Sequence, residues 1–317
     1  ASPSPSGIRL TIVACGVQRC MLLHRLQSVP ALEGSKKFHL FHNVTMGRLS
    51  AATRRQLFHV KQFIRKERSI MTNWTKEPLT GGMHVYVSEN HRFGTDAFLL
   101  AHFAGWRKKD LVCDLGTGCG IIPMIMQRQA PPRHIWGVDI QADAIAQFTQ
   151  AVIECHVQNT VTPICADLKQ LWTEAPMQQC DLVTCNPPYK AYQAGLESQL
   201  TAQKIARHEI LCTIADVCQA ASRLLKFGGR LCLCNRSERL ADCMAAMQQF
   251  HIEPKRLQFV SKNPDSAPWL FLLEGRKGGK SFLNVLPQFY VRDGDADSQA
   301  VQALYRLPEE PNKEVQP

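Results

Sequence analysis

DLVCDLGTGCGIIPMIMQRQ, residues Asp110 to Gln129, is the stretch that decides the fold. Leu111 to Leu115 is a short apolar run of strand length. Gly116, Gly118 and Gly120 follow at alternate positions, where the chain must turn sharply and bring its backbone close to a ligand. The apolar residues after Gly120 open a helix at the turn itself. Three further runs repeat the theme. HIWGVDI (His134 to Ile140) is a second strand ending in Asp139, VTPICADL (Val161 to Leu168) a third ending in Asp167, and CDLVTCNPPY (Cys180 to Tyr189) a fourth ending in Asn186-Pro187-Pro188-Tyr189. Acidic or polar residues at the C-terminal ends of successive strands mark the ligand edge of an open, mostly parallel α/β sheet.

A glycine loop with an acid on the next strand also fits a dinucleotide site. Here the glycines run G-x-G-x-G and not G-x-G-x-x-G, Asp114 precedes the loop by two residues, and a dinucleotide gives Asn186 to Tyr189 no task. A site for S-adenosyl-L-methionine uses every feature. It places Asp114 and the loop residues Gly116, Thr117, Gly118 and Gly120 near the amino-acid part, Asp139 on the ribose, and Asp167 by the adenine amine. Ile140, Leu168 and Asn186 complete the expected cofactor set.

The Asn-Pro-Pro-Tyr segment carries the chemistry. An exocyclic amine on a base or amide is a poor nucleophile, because its lone pair is delocalised into the neighbouring π system. The side-chain oxygen of Asn186 and the C=O of Pro187 are two acceptors held close together. Taking both N–H hydrogens, they favour a pyramidal nitrogen with its lone pair aimed at a methyl donor. The proline pair fixes φ and removes backbone donors, and Tyr189 offers a face on which a flipped-out base stacks. Asn186, Pro187, Pro188 and Tyr189 are therefore the candidate catalytic residues.

From about Met71 the chain resembles the bacterial tRNA1(Val) (adenine-N6)-methyltransferases. Three segments carry the resemblance: ENHRFGTDAFLLAHFA (Glu89 to Ala104), DLGTGCGIIPMIM together with CNPPY, and GGKSFLNVLPQFYVRD (Gly278 to Asp293). The first discriminates best, since glutamine methyltransferases acting on release factors share the NPPY motif but carry a different upstream element. The resemblance implies a class I methyltransferase fold: a seven-stranded, mostly parallel sheet with an antiparallel C-terminal edge. It also implies a monomeric or weakly associated enzyme, a tRNA substrate presenting a flipped adenine beside the anticodon, and a cofactor whose methionine end is covered by Arg92, Gly94, Thr95 and Asp96. Cys119 departs from the pattern, standing where Ser is commoner; both are small. The alternative acceptors are a protein glutamine, or adenine in ribosomal RNA or DNA.

Composition bounds the rest. The 317 residues are 45% hydrophobic, enough for a sizeable core. The formal charge of +10 is unevenly spread, for residues 1–70 hold 12 Lys and Arg against two acids, while the remainder holds 25 of each sign. The excess charge thus lies outside the expected catalytic domain, and the substrate reading rests on motifs, not on pI. Thirteen cysteines form no C-x-x-C pair, which indicates neither a zinc site nor a disulfide framework. Cys113, Cys232 and Cys234 lie in apolar strands, where a thiol behaves as a small hydrophobe. A reducing cytoplasm suits them. No apolar run approaches the length of a membrane span, and the opening residues lack the pattern of a signal peptide.

Residues 1–70 are expected to be a basic, poorly structured extension, with Met71 as an alternative start and with Arg54 to Ile70 at helical spacing. An RNA-binding arm is the other reading. The methyltransferase domain is expected over 71–308, and 309–317 as a disordered tail. Within the domain, Thr95 or Asp96 is expected to cap the helix that follows. The helix beginning at Thr213 is expected to stop at Gly228-Gly229. The loop after Tyr189 is expected to border the substrate mouth, and His208 and Glu209 lie in a stretch that recurs in the family, where they either touch substrate or fix the start of a helix.

Overall fold

The computed structural model describes residues 74–89, 91–170, 175–187 and 212–306. In chain order these form β1 (Thr75–Leu79), β2 (Met83–Val87), α1 (Thr95–Ala104), β3 (Leu111–Leu115), α2 (Ile121–Gln129), β4 (His134–Asp139), α3 (Ala142–Glu154), β5 (Val161–Cys165), β6 (Cys180–Cys185), α4 (Ile214–Leu224), β7 (Leu225–Arg236), α5 (Leu240–Gln249), β8 (Ile252–Ser261) and β9 (Leu270–Lys277). The short strands β10 (Asn284–Val285), β11 (Phe289–Tyr290), β12 (Arg292–Asp293) and β13 (Ala296–Asp297) and the helix α6 (Gln299–Tyr305) follow.

The main sheet runs β5-β4-β3-β6-β7-β9-β8. Strands β3 to β7 are mutually parallel, and β9 lies antiparallel between β7 and β8. This is the class I methyltransferase order, with β9 alone running against its neighbours. The expected seven strands become nine, because β10 and β11 each add two residues in parallel to the outer edge of β8. A separate antiparallel hairpin, β1 with β2, precedes the sheet.

Period-2 alternation explains why both faces are covered. Val112, Ile135, Leu182, Cys232 and Leu272 face one core with α1, α2 and α3. Their neighbours Cys113, Leu115, Val183, Leu231 and Leu273 face the other with α4 and α5. The hairpin closes the first core through Val85 and Val87. It is pinned to the end of α3 by Tyr86, whose hydroxyl donates to the Glu154 carboxylate at 2.8–2.9 Å, and by Lys76 at 3.1 Å.

Two local expectations are overturned. Helix α4 ends at Leu224, and Leu225, fully buried and paired with Cys180, already belongs to β7. Pairing resumes only at Arg230 opposite Leu182, so Gly228-Gly229 sits in a bulge of the strand and is no helix stop. Gly228 has φ 76°, and a Cβ on Gly229 would lie 2.8 Å from the Cys180 carbonyl oxygen. The second correction concerns α1. Its N-cap is Gly94 with no side-chain cap, and Thr95 and Asp96 are its first two helical residues. Asp96 does accept from the Ala97 N–H at 3.0 Å, but its other oxygen is turned to Asn186, just past the end of β6. The expectations for residues 1–73, 188–211 and 307–317 lie outside the described residues.

Candidate active site

The glycine loop leaves β3 and enters α2 with Gly116, Gly118 and Gly120 at φ 69°, 56° and 80°, the left-handed region that disfavours a side chain. Their surroundings differ. A Cβ on Gly120 would collide with the Phe148 ring, so that glycine serves packing between the loop and α3. A Cβ on Gly116 or Gly118 would meet nothing within 4 Å, so there the backbone borders open space.

Each of the strand-end acids is held by a partner, and Asp139 is bonded to the glycine loop itself. Asp139, at the end of β4, accepts from the Gly118 N–H at 2.9 Å through one oxygen and from the Gln141 N–H at 2.8 Å through the other. It thereby ties the loop to the neighbouring strand and keeps spare lone pairs for a hydroxyl donor. Ile140 beside it is 56% exposed, an apolar face at the cradle's rim. Asp167, half-buried after β5, accepts from the Lys169 N–H at 2.9 Å in an Asx turn, and Leu168 packs on the second core.

Asp114 is the most perturbed carboxyl. It is 1% exposed, its Oδ1 accepts a 2.6 Å hydrogen bond from the Thr184 hydroxyl, and burial pushes its carboxyl up to about 7. Its Oδ2 and the Thr117 hydroxyl are buried without a hydrogen bond of good geometry, although Thr117 is near enough to pull the carboxyl down against the effect of burial. A buried carboxylate oxygen so weakly partnered, beside an open glycine cradle, is what a ligand bearing an ammonium group would satisfy. The donor set thus fits the amino-acid end of S-adenosyl-L-methionine. Sequence reasoning missed Thr184, though its signal was present. Asp114 and Thr184 are register partners near the ends of two adjacent apolar strands.

Asn186 and Pro187 follow β6 directly and are half-buried. The Asn186 amide is held at both ends. Its Nδ2 donates to Asp96 Oδ2 at 3.0 Å, and its Oδ1 accepts from the Cys234 thiol at 3.1 Å. Neither contact was legible in the sequence, where Cys234 reads as a small hydrophobe. Asp96 also lines a cavity of about 330 Å³ with Gly94, Thr95, Trp269 and Arg292, and Trp269 is 42% exposed there. Pro188, Tyr189, His208 and Glu209 lie outside the described residues. Among the described residues no group of three or more His, Cys, Asp or Glu is placed to hold a metal ion, and no helix is long and apolar enough to cross a membrane.

Sheet order, glycine cradle and strand-end acids define a class I S-adenosyl-L-methionine-dependent methyltransferase, and known proteins agree. Among solved structures, a protein from Agrobacterium tumefaciens described as a predicted O-methyltransferase superposes with a TM-score of 0.53 at 18% identity, over 66% of this chain and 95% of its own, a likeness of fold. Residues 82–252, more than half of the chain, match the methyltransferase small domain, and the chain belongs to that family. Curated relatives named tRNA1(Val) (adenine(37)-N6)-methyltransferase include one from Parabacteroides distasonis, 25% identical over 58% of this chain and 76% of its own length. Another, from Dickeya chrysanthemi, is 24% identical over 68% of this chain and 86% of its own.

Proposed function

We propose that this enzyme methylates the exocyclic N6 amine of an adenine in tRNA, namely adenine 37 beside the anticodon of tRNA1(Val). The observation that carries the chemistry is the Asn186 amide, fixed at the end of a central strand between Asp96 and Cys234 and followed at once by Pro187. The relatives' shared name supports the substrate. In this reading Asn186 Oδ1 and the Pro187 carbonyl accept hydrogen bonds from the two N–H groups of the amine, Tyr189 stacks on the flipped base, and the extra proton on the methylated nitrogen is lost to water.

S-adenosyl-L-methionine supplies the methyl group as an activated sulfonium, so the chain needs neither a strong base nor a nucleophile. Its residues bind, orient and stabilise charge. Asp114 and Thr117 receive the amino-acid end, Gly116 and Gly118 let the backbone approach while Gly120 keeps the loop packed on Phe148, Asp139 takes the ribose hydroxyls, and Ile140, Asp167 and Leu168 flank the adenine. Asn186 borders the cofactor as well as the acceptor, Gly94 and Thr95 close the methionine end, and the Asp96 carboxylate beside them faces the Asn186 amide.

Transfer of labelled methyl from S-adenosyl-L-methionine to unmodified total tRNA, followed by nucleoside analysis, tests the substrate. N6-methyladenosine in a single tRNA species is the expected result. Label appearing only in protein glutamine, ribosomal RNA or DNA would reject it.

The Asp114 assignment makes a separate prediction. With its carboxyl at about 7 in the free protein, Asp114 is mostly protonated at pH 6. A cationic ammonium beside it favours the ionised form, so cofactor binding releases a proton. Affinity should rise by up to about tenfold per pH unit below 7 and level off above 8. Calorimetry in buffers of different ionisation enthalpy should register the released proton at pH 6 and none at pH 8.5. Asp114→Asn should bind more weakly, without that pH dependence. A proton count of zero at pH 6 in the natural protein would remove Asp114 from the cofactor's amino end.

A further inference from the structure

An asparagine amide is nearly symmetric in shape, and a half-turn about its last bond exchanges the acceptor with the donor. A residue asked to accept hydrogen bonds from an amine works in one of the two orientations only. Asp96 discriminates between them. An ionised carboxylate has no hydrogen to give, so the end of Asn186 facing Asp96 Oδ2 at 3.0 Å must be the NH₂. The oxygen is thereby turned to the other side, where the Cys234 thiol donates to it at 3.1 Å. In the reversed orientation the amide and carboxylate oxygens would oppose each other, lone pair to lone pair.

Asp96 is itself well placed for the task. It stands in the first turn of α1, and its Oδ1 accepts from the Ala97 N–H. The far end of α1 is anchored too: Arg256 donates to the Phe103 carbonyl at 2.8 Å, and Arg230 to those of Ala104 and Gly105 at 2.6 and 3.0 Å. The carboxylate thus sits on a rigid element, and one hydrogen bond joins α1 to the motif that ends β6.

We infer that Asp96 is the positioning residue of methyl transfer: it locks Asn186 with Oδ1 toward the acceptor amine, and its negative charge, passed through the amide, strengthens that oxygen as an acceptor. The inference rests on Asn186 acting as proposed above. Hydrogen bonds in series polarise one another, and the amine gains positive charge as it is methylated. A carboxylate behind the amide therefore favours the transition state over the ground state. This differs from a cofactor-binding role for the same residue, and the two separate experimentally.

The test compares the full chain with its Asp96→Asn and Asp96→Ala variants, using whichever acceptor the natural protein labels among tRNA, ribosomal RNA, DNA and protein. Asp96→Ala should lower kcat by about 10- to 100-fold, the size expected for a lost hydrogen bond to a charged group, with cofactor Kd changed less than about twofold. Asp96→Asn, which still offers an oxygen to Asn186 but no charge, should recover part of the loss. Melting temperatures separate this from simple unfolding, because a merely structural role would not spare Kd while lowering kcat. A weakened cofactor with kcat intact would make Asp96 a cofactor ligand and overturn the inference, as would three equal values of kcat.

A second readout needs no substrate. The Asn186 side-chain NH₂ pair, identified in ¹H–¹⁵N spectra by its loss in Asn186→Asp, should show one proton shifted downfield and protected from exchange, and Asp96→Ala should abolish both properties. An NH₂ pair unchanged by Asp96→Ala would overturn the inference even if no acceptor were labelled. Absence of labelling by the natural protein would count against the methyl-transfer reading alone.

Discussion

Asn186→Ala is expected to lower methyl transfer at saturating substrates by about 10²- to 10³-fold, the usual loss for a group aimed at charge that develops in the transition state. Cofactor affinity should fall little, because most of the cradle is built elsewhere: on the β3 loop, on Asp114 with Thr184, and on Asp139 with Gly118. The substitution does remove a partner from Asp96 and another from Cys234. Some stability should be lost with them, on the order of 1–3 kcal/mol. Assays well below the melting temperature keep that loss out of the rate. Single-turnover rates with bound cofactor, beside equilibrium Kd values, provide the decisive pair of measurements. Kd and rate falling together would move Asn186 from the acceptor side of the reaction to the cofactor side. A rate within a few-fold of the natural protein would remove it from the chemistry altogether.

The features legible in the sequence share a physical origin. Parallel strands buried on both faces read as unbroken apolar runs, and Leu111–Leu115 stands in the structure with the bounds its composition implies. The glycines and strand-end acids were legible because φ values above zero and a ligand edge restrict the residue types allowed. Contacts between distant segments were not. Asp96 and Asn186 are 90 positions apart, and local spacing made Asp96 a plausible helix cap. Packing of α1 across the sheet gave its carboxylate a different partner. The same competition displaced the end of α4: Gly228-Gly229 has the local signature of a helix stop, while burial of Leu225 opposite Cys180 drew the chain into β7 four residues earlier. Tertiary burial outweighs propensities worth about 1 kcal/mol or less.

Glu274→Ala is expected to be strongly destabilising, by about 3 kcal/mol, the low end for breaking a buried ion pair on one side. Glu274 is 4% exposed on β9. One of its oxygens accepts from Arg230 at 3.1 Å and from Arg256 at 3.1 and 2.7 Å. Both guanidinium groups hold the last carbonyls of α1, and Arg256 also lies 4.6 Å from the Phe103 ring centroid. Removing the carboxylate leaves two cations facing each other, Arg256 with only a neutral carbonyl as partner and Arg230 with carbonyls and the more distant Asp110 carboxylate at 3.9 Å. The Arg256 side chain is 34% exposed, and water can reach it, which is why the low end of the range applies. Urea unfolding should show a lower midpoint at constant slope, and Glu274→Gln should recover part of the loss by keeping an acceptor in place. The effect should also persist in 1 M salt, where exposed pairs are screened. A change under about 1 kcal/mol would mean that the cluster is hydrated and behaves as a surface pair. Because α1 carries Asp96 at its other end, loosening this anchor should lower kcat in Glu274→Ala as well, which would make the cluster a support for the site as well as for the fold.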